Sequence, residues 1–342
     1  MQGAVERWQY RRVIRARLLV RVALALLLAT TALPDALGCD STGCLLVTRS
    51  ASGLLPRKSF RLDLSFRTTD DSQLLSGSDA AARVTRPKVD FEHGIVRPGF
   101  HQDLGGSSRF LQVDAGYGLT GRTTLVASAP VLTHRSYDIG HPPVLTENYE
   151  TWGLGDTLVG VRHALVATPA ESVVVGVGVE LPTGESQLVS PEALFDIGIL
   201  DPMLQPGSGS WDVLLNAQGS RRLTNTGLDL TGALSYQANT TNELGYSYGD
   251  DAIASLAIAR PMAPRLRASL QLKWAHRGRS EYRGTGVEST GGTVVYLIPG
   301  LVTTLPARLS LYCFLPVPVY RYVNETQVAP RLSLVVGMAR IF

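Results

Sequence analysis

The chain has 342 residues, 44% of them hydrophobic and 18% charged, with a formal net charge of +3. That composition is too apolar for a disordered chain and too evenly interrupted by polar residues for a helical membrane protein. Its 34 glycines and 19 prolines favour many short strands joined by turns.

The charge is concentrated at the start. Arg7, Arg11, Arg12, Arg15, Arg17 and Arg21 precede an apolar run of about 12 residues from Val22 to Leu33, and Ala36-Leu37-Gly38 places small residues before a cleavage point. The pattern predicts a signal peptide over 1–38, because Arg21 cuts the run below the roughly 18 apolar residues of a spanning helix. Without it the formal balance falls to about −1, since six arginines go with two acids, Glu6 and Asp35. No nucleic-acid partner is therefore expected. Cys39 and Cys44 follow in a periplasmic N-terminal segment, 39–56, and their spacing fits a small disulfide loop in an oxidising compartment. A lipid-modified Cys39 is the rival reading, weakened by Ala36 standing where a lipobox usually has leucine. Cys313 lies in an apolar strand pattern and reads as a small hydrophobe.

From residue 57 onward the period is two. Phe60, Leu62, Leu64 and Phe66 alternate with Arg61, Asp63, Ser65 and Arg67, a face too charged for a dry core unless it is wet or internally paired. A long polar stretch follows, to about Ser107. Leu111 to Leu119 and Leu125 to Val131 then form a hairpin across Thr120-Gly121-Arg122. Trp152 to Leu165 and Val173 to Leu181 repeat the pattern across a short turn, and after another long connection Val213 to Ala217 and Leu228 to Tyr236 flank Thr224-Asn225-Thr226-Gly227. Ala252 to Ala259, Leu266 to Trp274, Val294 to Ile298 and Leu309 to Val319 continue the series. Leu332, Leu334, Val336 and Met338 make the last strand, which ends at Phe342. Arg340 shares its apolar parity.

These segments predict an all-β fold, a closed antiparallel transmembrane β-barrel of about 12 strands over 57–342. Connections alternate long and short, so a periplasmic start would place every long loop outside the cell. A β-sandwich would give strands and turns too, but not this alternation or so many strands with a wholly apolar outer face. Closure satisfies every backbone group in lipid. The final strand with its C-terminal aromatic resembles the closing strand of bacterial outer-membrane barrels, which implies that Phe342 is part of the signal read by the assembly machinery.

The polar parity supplies the candidate lumen residues: Arg61, Asp63, Arg67, Asp114, Glu180, Asp212, Gln218, Asp229, Arg267, Gln271, Lys273 and Arg331. They fit either a mixed-charge lumen that screens polar solutes or a salt-bridged interior that fills a narrow barrel. The loops Thr68 to Ser107 and Pro182 to Ser210 are long enough to plug or gate it. No catalytic, metal or cofactor site is expected. His134 and Ser136 invite comparison with outer-membrane phospholipases, but the parity of Leu125 to Val131 places them inward or in a loop, and no third group completes a triad. His141, His163 and His276 are scattered without ligand spacing.

Gly153-Leu154-Gly155-Asp156 opens one strand, Glu180-Leu181-Pro182-Thr183-Gly184 closes another, and Leu204-Gln205-Pro206-Gly207-Ser208-Gly209-Ser210-Trp211-Asp212 enters the next. Together they resemble the outer-membrane transporter barrels grouped with the phenol-degradation meta-pathway family. The resemblance implies passage of small solutes, aromatic or hydrophobic ones among them, across the outer membrane, and a barrel closed on itself in the bilayer is expected to work as a monomer. Alternatives are a barrel-borne lipid hydrolase and a non-conducting structural or assembly barrel.

Overall fold

The computed structural model describes residues 54–141, 145–189 and 198–342. The expected signal peptide, Cys39 and Cys44 lie outside the described residues. Twelve strands form the wall: β1 (Phe60–Asp71), β2 (Ile95–Gly118), β3 (Thr123–His141), β4 (Thr157–Ala167), β5 (Glu171–Leu181), β6 (Asp212–Leu223), β7 (Leu228–Ala238), β8 (Asp251–Ala263), β9 (Leu266–Arg277), β10 (Gly292–Leu305), β11 (Leu309–Phe314) and β12 (Leu332–Ile341). Pro316 interrupts β11, which resumes as Val317–Val323 against β10. Each strand pairs antiparallel with the next, and β12 pairs with β1, so the twelve-stranded wall has no open edge.

Alternation decides which face meets what. On the outer parity Leu125, Val177, Leu215, Leu234, Leu256 and Leu301 are exposed, an apolar band that water would penalise and hydrocarbon would not. Exposed aromatics rim it at both ends. Trp152, Trp211, Trp274, Tyr236 and Tyr320 stand toward the long loops, while Phe60, Tyr117 and Phe342 stand toward the short turns. Two such girdles are what interfacial solvation of amphipathic rings produces. Among the described residues no helix is long and apolar enough to cross a membrane.

The closing strand keeps the predicted register. Arg340 lies across from Leu62 on the outer parity, and Ala339 lies across from the inward Asp63. The Arg340 guanidinium sits 4.9 Å from the Phe342 ring centroid at the short-turn end, and the side chain is buried. Phe342 itself exchanges backbone hydrogen bonds with Phe60, so the last residue is part of the seam. Cys313 faces outward between Leu301 and Val336.

Two expectations need correction. The stretch 68–107 is largely strand: β1 runs on to Asp71, Gln73–Ser76, Asp79–Ala80 and Val84–Asp90 follow, and β2 starts at Ile95. Its polar composition hid this because these segments stand above the apolar band, where no face needs to be greasy. The second concerns His134 and Ser136, which point outward. The ladder between β2 and β3 skips Val131, since Gln112 faces Pro130 and Leu111 faces Leu132. One extra residue inverts every later side chain, so Thr133, Arg135, Tyr137 and Ile139 turn in.

Candidate functional site

The interior divides into two levels. Toward the short turns it is filled by buried polar side chains, many of them paired with one another. Arg61 donates to the Asp63 carboxylate at 2.6 Å, and Tyr312 donates to its other oxygen at 2.6 Å. Gln112 bridges Asp114 and Ser128 at 2.8 and 2.9 Å. Asp229 takes Arg222 at 2.9 Å and also Arg267. Asp63 and Asp114 face each other directly across β1 and β2, an arrangement that like charges disfavour unless other groups compensate. Here Arg61, Tyr312 and Gln112 do so. Beside this layer an apolar inner patch of Ile298, Val302, Tyr312, Phe314 and Val335 coats the wall of β10, β11 and β12.

Toward the long loops the interior opens into a vestibule of about 350 Å³, at the small end of the range of ligand pockets. Arg86, Arg135 and Arg277 line it together with Asp156, Glu180, Asp212 and Asp251, and Met203, Tyr246 and Tyr248 give it softer surface. Arg86 is held by Asp103 at 3.2 Å and Asp201 at 3.8 Å, and Arg277 by Asp251 at 2.7 Å. Glu180 and Asp212 face each other across β5 and β6. Glu180 receives Gln237 Nε2 at 3.5 Å, and Asp212 receives the Thr240 N–H at 2.8 Å and the Ser210 hydroxyl at 3.1 Å. Burial, reinforced by the Asp201 carboxylate, pushes the Tyr246 phenol up to about 12, so this loop residue stays a neutral group at physiological pH.

One side of the vestibule is shaped by residues 182–189 and 198–210, which fold inward. The 3₁₀ turn Pro202–Leu204, capped by the Asp201 side chain, places Leu204 against Tyr137, Ile139 and Tyr149. Thr151 donates to the Leu204 carbonyl at 2.6 Å. Asp156 then knots three segments together: its Oδ1 accepts the Gly184 N–H at 2.8 Å, and its Oδ2 accepts both the N–H and the hydroxyl of Ser208. A side chain at Gly184 would lie 2.8 Å from the Gly207 Cα, so the crossing needs glycine on both chains. The three sequence motifs, far apart in the chain, are therefore one structural unit.

The predicted lumen residues distribute over both levels. Arg61, Asp63, Asp114, Asp229, Arg267 and Gln271 are buried in the filled layer. Arg67 lies above them, its guanidinium 4.4 Å from the Phe110 ring, and Lys273 stands 5.9 Å from the Tyr296 ring. Gln218 is on the inward parity of β6, and Glu180 and Asp212 reach the vestibule. Arg331 does not line the interior: it precedes β12 at the rim, is largely exposed and lies 3.8 Å from Asp70. Sequence reasoning missed Arg86, Arg135, Met203, Tyr246 and Tyr248. Arg135 was hidden by the Val131 bulge, Arg86 lies on the extramembrane strand Val84–Asp90, and Met203, Tyr246 and Tyr248 sit in the long connections, where alternation carries no signal.

On the outer wall His134 stacks on Trp152 with ring centroids 3.6 Å apart, and neither of its ring nitrogens has a hydrogen-bond partner. Ser136 is engaged by Asn148 Nδ2 at 3.2 Å. Nucleophile and base are thus not joined. Among the described residues no group of three or more His, Cys, Asp or Glu side chains could hold a metal.

The profile of the family described as "Putative MetA-pathway of phenol degradation" matches residues 65–315. The chain belongs to that family. The match takes in all three motifs and the Asp156 knot. Among solved structures, the COG4313 outer membrane channel from Pseudomonas putida F1 is similar over 87% of this chain and 100% of that one, at 14% identity and a TM-score of 0.59. The β domain of the Bordetella autotransporter BrkA covers 83% of this chain and 100% of its own at 11% identity and a TM-score of 0.45. The Pseudomonas putida toluene transporter TodX covers 85% and 91% at 10% identity and a TM-score of 0.39. At 14% identity the likeness to the COG4313 channel is one of fold. No curated protein sequence matches the chain.

Proposed function

We propose that the chain is an outer-membrane channel for small solutes, aromatic or hydrophobic ones among them, acting by passive passage without a cofactor. The observation that carries this reading is the vestibule: a cavity of about 350 Å³ inside a closed, lipid-belted barrel, lined by charged groups and by Tyr246, Tyr248 and Met203. A cavity of that size takes one small ring compound and excludes oligomers. The family's link to phenol degradation and the fold shared with an outer membrane channel support the choice of solute and of membrane. Residues 1–38 serve as the export signal, Phe342 as part of the assembly signal, and the barrel works as a monomer with its long loops outside the cell.

Passage requires the polar layer around Asp63, Asp114 and Asp229 to rearrange, so flux is slow and strongly size-limited. Proteoliposomes containing the purified barrel are expected to take up a monocyclic aromatic faster than protein-free liposomes and to exclude a trisaccharide. Equal uptake with and without protein would contradict the reading. The hydrolase alternative predicts ester cleavage in detergent that His134→Ala abolishes. The unlinked Ser136 and His134 favour the channel.

A further inference from the structure

The vestibule has a roof. Connection 278–291, between β9 and β10, folds back over it, and Ser280, Ser289, Thr290 and Gly291 line the cavity from above. Within it Glu281–Tyr282 pairs with Thr285–Gly286 as a small hairpin, and Tyr246–Ser247 adds a third strand. The patch is closed by apolar contact: Tyr246, Tyr282, Val287 and Val89 form a buried cluster, with Phe91 edge-on to Tyr282 at 5.5 Å. That cluster joins the roof to the hairpin 84–103.

Two features set this segment apart from a loop that simply fills space. The first is the way its ends meet the wall. Gly278 and Gly291 stand at its two ends, and a methyl group at Gly291, or at the neighbouring Gly249, would collide with the Gly278 carbonyl. Gly291 also has φ +79, a conformation that a side chain strains. The two strands of backbone thus leave the barrel through one narrow neck built of glycines.

The second is how the far side is fastened. Arg279 makes a bidentate contact to Glu325, at 2.6 Å to Oε1 and 3.1 Å to Oε2. The Ser289 N–H donates to Glu325 Oε2 at 2.8 Å. One carboxylate therefore grips both arms of the roof from a different connection, 324–331, and its lowered pKa reflects the Arg279 hydrogen bond first. Asn324 Nδ2 to the Thr290 carbonyl at 2.8 Å and Gln327 Nε2 to the Gly291 carbonyl at 2.7 Å fasten the same edge. Most of these bonds are exposed or half-buried, as a contact meant to be broken would be.

We propose that residues 279–290 are a hinged lid over the vestibule, pivoting at Gly278 and Gly291 and latched by the Arg279–Glu325 pair. The inference rests on the channel reading and says where that channel is controlled: at its outer mouth, by a latch whose two halves lie on separate connections. Lid opening exposes the vestibule to solute, and lid closure occludes one solute-sized space above the filled layer. Such gating lifts the 281–286 hairpin off Tyr246–Ser247 and out of its cluster with Val89, and leaves the twelve-stranded wall intact.

The test uses the full-length barrel in planar bilayers, with heat-modifiable gel mobility as the check of folding. Arg279→Glu and Glu325→Arg each place like charges at the latch and are expected to raise open probability about three- to tenfold without changing the single-channel step. The double charge swap is expected to restore wild-type gating. Folded single variants that gate like wild type, or a double swap no closer to wild type than the singles, would overturn the lid. A further variant replaces 279–290 by a short glycine–serine link. If it too carries no current, the channel reading fails, and the lid with it. If it conducts while the charge variants gate like wild type, only the lid fails.

Discussion

Asp156 shows how a single side chain can organise a wall. Both of its oxygens are committed to the backbone and hydroxyl of distant segments, at Gly184 and Ser208, where the chain crosses itself too closely for any residue but glycine. Asp156→Ala leaves two part-buried N–H groups without a partner, a loss of about 2–4 kcal/mol. The expected outcome is a barrel that still assembles but loses its heat-modifiable folded form at lower temperature, with 182–210 cleaved by protease that leaves wild type intact. Asp156→Asn, which keeps one acceptor oxygen, should lie between. A wild-type melting profile in Asp156→Ala would show that the knot contributes nothing. The motif residues were visible in the sequence as glycine-rich and acidic islands. Their meeting was not, because contacts across about 50 residues of chain leave no periodic trace.

At the scale of elements, the alternating segments were readable because lipid outside and polar groups inside impose the strongest contrast a strand can carry. β1, β5, β7 and β9 all show it. Legibility failed where the contrast lapses. The strands above the membrane band, such as Val84–Asp90, read as loop, and the Val131 bulge reversed the facing of His134, Ser136 and Arg135 without changing a residue type. The lid illustrates the same limit, since its latch residues belong to separate turns of mixed composition. Its pH dependence follows from Glu325, whose pKa is held below the usual carboxylate value by Arg279. A depressed folded-state pKa means that the latch's contribution is complete above about pH 4.5 and disappears as pH falls through the lower folded value. With Glu325 42% and Arg279 36% exposed, solvent screening keeps that contribution near or below about 1 kcal/mol. Open probability measured from pH 6 down to pH 3 should therefore be flat above about pH 4.5 and rise a few-fold below it, and Glu325→Gln should abolish the rise. A wild-type profile with no rise would exclude the carboxylate as the latch.

For the whole molecule, the balance between a filled and an open interior was the question that alternation could not answer, because both use the same polar residues at the same parity. The structure divides them by height. Paired charges around Asp63, Asp114 and Asp229 fill the half toward the short turns, while the vestibule under the lid stays hollow. A barrel of twelve strands sits between small filled barrels and wide porins, and this one has some of each. The most direct measurement is the single-channel conductance of the purified full-length chain in planar bilayers. The expected record is brief, discrete steps far smaller than those of a wide water-filled porin, since ions must pass the polar layer. Complete absence of current in wild type and in the lid-deleted barrel, or large steady steps typical of an open pore, would contradict the account.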